Sequence, residues 1–204
     1  FYPNAFNIPQ AFFGNGYEPH ETLMPGVGYF MKYGDSVDVR FQGVPMNRIT
    51  RLNDDDGFSD EVKLEEGWNT FGALSLPLDI EDIQFDKFGK DSPTEREVIA
   101  AGIWGYKTNE GYYETSVVDP GYGYWMKCDK VGYLKLIHSG IARVSDYVNY
   151  AKQNVLSSST QLVIRDNAQH ASSLYLTDDK NLDLSNYELP PVPPQGLYDV
   201  RFGS

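Results

Sequence analysis

A 22-residue stretch of this chain returns 95 residues later without a gap. Residues 11–32 read AFFGNGYEPHETLMPGVGYFMK and residues 106–127 read YKTNEGYYETSVVDPGYGYWMK. Eight of the 22 paired positions are identical: Gly16/Gly111, Tyr17/Tyr112, Pro25/Pro120, Gly26/Gly121, Gly28/Gly123, Tyr29/Tyr124, Met31/Met126 and Lys32/Lys127. Phe30/Trp125 is a close substitution. Such a repeat constrains the fold to copies of one supersecondary unit. It also argues against a single catalytic cleft, because a duplicated unit offers two equivalent surfaces.

Within each copy the pattern is strand, hairpin, Pro-Gly turn, strand. Residues 98–106 (VIAAGIWGY) form an apolar strand, and Thr108-Asn109-Glu110-Gly111 is a hairpin turn into Tyr112-Tyr113-Glu114-Thr115. Pro120-Gly121 predicts a tight turn with positive φ at glycine, as at Pro25-Gly26. Gly28 and Gly123 predict a close approach of another chain segment. Val37–Phe41 and Tyr133–Ile137 alternate at period 2 and add a following strand to each copy. Leu64–Leu74 reads as a turn and a strand before the second copy. The same offset puts its counterpart before residue 1, so the first copy reads as truncated, or its first strand is not part of this chain.

The chain of 204 residues is long enough to bury a real core. Aromatics at 14%, with 19 Gly and 12 Pro, fit short strands and tight turns better than helices. Residues 145–155 suggest one short helix capped by Ser145. Further on, Gln161–Asp166 and Ser173–Leu176 form strands around a turn at Asn167-Ala168-Gln169. Pro190-Pro191-Val192-Pro193-Pro194 takes an extended path, and Leu197–Phe202 reads as an edge-type strand. The expected fold is all-β: a tandem β-repeat sandwich over residues 1–142, with copies at about 1–45 and 67–138, then a small immunoglobulin-like β-sandwich over 143–204.

A net charge of −12 repels phosphate backbones and anionic lipid, so nucleic acid is an unsuitable partner. No apolar run has membrane-spanning length. The single cysteine, Cys128, forms no internal disulfide. His20, His138 and His170 are too scattered for metal-ligand spacing, no Gly-x-Ser-x-Gly elbow occurs, and no carboxylate pair stands out. The chain reads as a non-enzyme.

Two places remain as candidate sites. Asp54, Asp56 and Asp60, with Gly57 for the turn, approximate a calcium loop of hard oxygen ligands. Leu52 and Lys63 stand where an EF-hand places acids, so a solvated acidic loop is the competing reading. Tyr112, Tyr113 and Tyr122 lie in or beside turns and are candidates for stacking on sugar rings. Trp68, Trp104 and Trp125 lie in strand patterns and read as core.

Gly67-Trp68-Asn69, Ile103-Trp104-Gly105-Tyr106 and Pro120-Gly121-Tyr122-Gly123-Tyr124-Trp125 together resemble β-repeats of large secreted proteins of Bacteroidetes and Ignavibacteria. The ending Tyr187-Glu188-Leu189-Pro190-Pro191-Val192-Pro193-Pro194…Tyr198-Asp199-Val200-Arg201-Phe202 is similar to a tail module of the same proteins, often found before a type IX secretion sorting domain. The resemblance implies an extracellular or cell-surface location and a non-catalytic structural or adhesive module. Its partners would be neighbouring domains or other extracellular protein. The alternative is a carbohydrate-binding module attached to a secreted polysaccharide-degrading enzyme.

Overall fold

The computed structural model describes residues 5–14, 16–38, 43–49, 62–87, 102–128, 130–138 and 150–203. They are predominantly strand. A first hairpin joins β1 (Gln10–Phe13) and β2 (Gly16–Pro19). Then come β3 (Arg48–Ile49), β4 (Val62–Leu64), β5 (Gly67–Gly72), β6 (Leu78–Asp79) and β7 (Ile83–Lys87). The second copy supplies β8 (Ile103–Lys107), β9 (Gly111–Thr115), β10 (Val117–Val118) and β11 (Gly123–Cys128), followed by β12 (Gly132–Ile137). A helix, α1 (Tyr150–Ser158), precedes the hairpin of β13 (Thr160–Arg165) and β14 (Ala171–Leu176).

The centre is one antiparallel sheet in the order β5-β11-β8-β9. A second sheet is built around β12, which pairs with β3, β4 and β7. Period-2 alternation in β11 decides what each face does. Tyr124, Met126 and Cys128 point one way and join Phe71, Ile103, Ile49, Leu64, Leu134 and Leu136 in the main core between the two sheets. Trp125 points the other way, with Trp68 and Trp104, into an aromatic cluster that also holds Phe12. The three tryptophans are thus core residues, 2–8% exposed. The first copy covers this aromatic face and touches β5 as it does so.

The repeat appears as repeated geometry. The Met24 N–H donates to the Tyr29 hydroxyl at 2.9 Å, and its counterpart Asp119 N–H donates to Tyr124 at 2.8 Å. Gly26 and Gly121 have φ of 77° and 82°, as a type II turn requires at its third position. Gln10 bridges Phe30 just as Trp104 pairs with Trp125. These partners are 94 apart, not 95. Phe13 pairs with Gly16 in the first copy, three positions on, whereas Lys107 pairs with Gly111 in the second, four positions on. The ungapped sequence match therefore slips by one before Gly16, and Phe12 corresponds to Tyr106. Environments are not fully equivalent: Tyr124 is buried, whereas Tyr29 is half-buried.

The copies also pack on one another through their own counterparts. Phe30 meets Trp125 with centroids 6.3 Å apart, and a Cβ on Gly123 would lie 3.2 Å from Gly28 Cα. Phe30 meets Tyr106 at 5.5 Å and, reciprocally, Phe12 meets Trp125 at 5.0 Å. Residue meeting counterpart, with reciprocal cross-contacts, is the signature of an isologous twofold interface.

Residues 150–203 differ from expectation in several ways. The helix is Tyr150–Ser158, so it runs past the expected end; Ser145 lies outside the described residues. Where an immunoglobulin-like sandwich was expected, the described residues contain one two-stranded sheet, β13–β14, whose connecting loop spans 166–170 and includes the expected turn at Asn167–Gln169. Leu197–Phe202, expected as an edge-type strand, pairs with no strand among the described residues. It belongs to a tail, residues 188–201, that lies on the aromatic face. Proline has no N–H to give a ladder, which explains why this tail is bonded through side chains.

Candidate functional site

Side chains of both copies converge on the tail from the face beneath it. Tyr112 on β9 donates its hydroxyl to the Pro191 carbonyl at 2.8 Å, and Tyr106 on β8 donates to Tyr198 O at 2.8 Å. Arg201 grips both Asp199 carboxylate oxygens, at 2.6 and 2.9 Å, and donates to Pro190 O at 2.9 Å. Glu188 accepts from Trp68 Nε1 at 3.3 Å and pairs with Lys127 Nζ at 2.5 Å. Lys32, the repeat counterpart of Lys127, donates to Gly196 O at 3.2 Å. One lysine from each copy therefore holds the same tail, and Leu189 packs on the tryptophan cluster.

Electrostatics fit holding rather than reaction. Burial pushes Tyr17 and Tyr106 up to about 12, and pushes Tyr112 higher still. These phenols are neutral near pH 7, and those of Tyr106 and Tyr112 serve as donors. Tyr17 and Tyr112, again counterparts, influence one another's ionisation, although the Tyr17 hydroxyl forms no well-directed hydrogen bond among the described residues. The Lys127 ammonium holds Glu188 below the usual carboxylate range. Asp199 already faces Arg201, and Glu188 faces Lys127.

The three candidate sugar-stacking tyrosines do not form one platform. Tyr112 and Tyr113 are adjacent on β9 and so point to opposite faces. Tyr112 sits under the tail. Tyr113 lies on Gly105, where a Cβ would come within 2.5 Å of its ring, and Lys107 Nζ stands 4.6 Å from its centroid. Only Tyr122 presents its ring to solvent, at 63% exposure. Asp54, Asp56 and Asp60 lie outside the described residues. Among the described residues no three His, Cys, Asp or Glu side chains cluster as a metal site. His170 pairs with Asp166 at 2.6 Å and stacks on Tyr198 at 4.9 Å. His20 lies against Tyr29 at 5.9 Å, and the His138 N–H donates to Asn47 O.

Sequence reasoning missed the roles of Lys32, Lys127, Tyr17, Glu188 and Arg201. A signal existed: three of these are positions identical between the copies, and the other two sit in the tail motif. Compared with protein-family models, curated proteins and solved structures, the chain matches none.

Proposed function

We propose that this chain is a non-catalytic structural or adhesive β-module of a large secreted or cell-surface protein. One observation carries the reading. The side chains shared by the two copies are spent on internal contacts: Phe30 on Trp125, Tyr17 beside Tyr112, Lys32 and Lys127 on the tail. A repeat kept for ligand binding would turn its shared residues outward; this one turns them toward its partner copy and the tail. The extracellular location rests on the motif resemblance. The immunoglobulin-like arrangement of residues 143–204 stays within the proposal as what would complete β13–β14, whose Leu162 and Leu176 are 44% and 49% exposed.

The test is an activity screen of the purified chain on polysaccharide, ester and peptide substrates. No turnover is expected. Reproducible turnover that disappears on changing one acidic or serine residue would sink the proposal. Tyr122 alone favours the second reading, carbohydrate binding. A glycan array with wild type and Tyr122→Ala distinguishes it, since sugar binding lost in the variant would support a stacking site.

A further inference from the structure

The two Pro-Gly turns share their prolines and glycines, yet among the described residues Gly26 is covered and Gly121 is not. On the first copy, a Cβ at Gly26 would meet Val62 Cγ2 at 2.5 Å and Ile49 Cδ1 at 2.8 Å, and one at Gly28 would meet the Phe71 carbonyl oxygen at 2.7 Å. The Gly72 N–H donates to Gly26 O at 2.8 Å. What covers this turn is the end of β5, backed by the second sheet. On the second copy, a Cβ at Gly121 would meet nothing within 4 Å, and Tyr122 is exposed.

The same asymmetry recurs at a strand edge. β11 lies between β8 and β5. Its counterpart in the first copy, residues 28–33, is flanked on one side by Gln10, bridged to Phe30, and by Ala5, bridged to Tyr33. Phe30 exchanges both backbone hydrogen bonds with Gln10, at 2.8 and 2.9 Å. By strand alternation, the backbone groups of Tyr29 and Met31 then face the other side. No described strand stands to the first copy as β5 stands to the second.

One strand would fill both places. Under the twofold relation, a strand paired with residues 28–33 crosses Gly121–Gly123 as β5 crosses Gly26–Gly28. We infer that this edge and turn form an acceptor for an extended Gly-Trp-Asn-Thr-Phe-Gly segment, supplied by a polypeptide carrying a further copy of the same repeat. The register of β5 on β11 carries over. It sets Phe opposite Tyr29, Thr opposite Phe30, Asn opposite Met31, Trp opposite Lys32 and the final Gly at Gly28. Main-chain bonds to Tyr29 and Met31 give affinity, and the alternating side chains give selectivity. The β5 strand of a second copy is not a free donor, because Trp68 and Phe71 are buried in their own core. The inference stands whether or not the module proves catalytic.

The experiment is amide hydrogen exchange on the intact chain, with and without a synthetic peptide of the sequence of residues 66–74. Saturable binding with slowed exchange at Tyr29 and Met31 is expected, with none for a scrambled peptide. N-methylation of the peptide at its Asn and Phe should weaken binding at least about tenfold, and Tyr122→Ala should weaken it several-fold while leaving the fold intact. Lack of binding, or protection elsewhere, overturns the inference. Slow exchange at Tyr29 and Met31 in the free monomer also overturns it, since this chain would then cover its own edge. Protection caused by dimerisation at this edge would assign the place to a second copy, against the inference.

Discussion

Phe30 and Trp125, counterparts in sequence, face each other with ring centroids 6.3 Å apart and planes at 48°. Each also packs on a tyrosine of its own copy, Tyr17 at 5.8 Å and Tyr112 at 6.3 Å. Aromatic pairs of this geometry contribute about 0.5–1.5 kcal/mol each beyond area burial. Trp125 makes several at once and is 2% exposed. Trp125→Ala should cost about 3–5 kcal/mol in chemical denaturation. Phe30→Ala should cost less, and the double variant should fall short of the sum because the two share one contact. Strict additivity would refute the interface.

High pH should unfold this protein through its tyrosines. Tyr17, Tyr106 and Tyr124 are held at about 12 by burial, above the ordinary 10.0. The folded state keeps a proton that the unfolded state loses. The stability contributed is therefore complete below pH 10 and falls as pH rises from 10 through 12. A spectrophotometric titration should show these phenols ionising only with unfolding. Free titration of all 15 tyrosines near 10 would contradict the burial.

The Lys127–Glu188 pair has the opposite sign. Glu188 is held below its ordinary 4.5, chiefly by Lys127. Its contribution is present above 4.5 and is lost as pH falls through the lower folded value. Acid should loosen the tail before the core. Tryptophan emission should shift to longer wavelength below pH 4.5, and Lys127→Met should remove that step.

Glycine tolerance should differ between positions that resemble each other in sequence. Gly28→Ala places a methyl 2.7 Å from the Phe71 carbonyl, a backbone atom, and should cost about 1–3 kcal/mol. Gly16→Ala meets nothing within 4 Å at ordinary φ and should be neutral within about 0.5 kcal/mol. Thermal melts of the two variants compare them directly.

Calcium is tested at Asp54, Asp56 and Asp60. If these carboxylates bind calcium, millimolar calcium raises the melting temperature by mass action and Asp56→Ala abolishes the rise. An unchanged melt would leave a solvated acidic loop.

Strand positions and turn glycines were legible in the sequence because local chemistry fixes them. Pro25-Gly26 and Pro120-Gly121 demand their turn wherever they stand, and Tyr133–Ile137 alternates because one face of β12 is buried. The one-residue slip at Gly14 was not legible, since turn length depends on which residues pair across the hairpin. Nor was the fate of Tyr112 and Tyr113. Two neighbouring tyrosines beside a turn look alike until the sheet assigns one to each face. Leu197–Phe202 reads as an edge strand in sequence, yet the structure bonds the Tyr198 carbonyl to the Tyr106 hydroxyl rather than to a neighbouring strand.

The three main-chain oxygens by which the tail is held to the face, those of Pro191, Gly196 and Tyr198, are acceptors only. Pro190, Pro191, Pro193 and Pro194 offer no N–H in return. A strand laid over the tryptophans would hide them but would expose a fresh row of donors and acceptors to any passing chain. A proline tail hides them and ends the sequence of pairings there. The tail thereby covers the tryptophan cluster without inviting strand pairing across it.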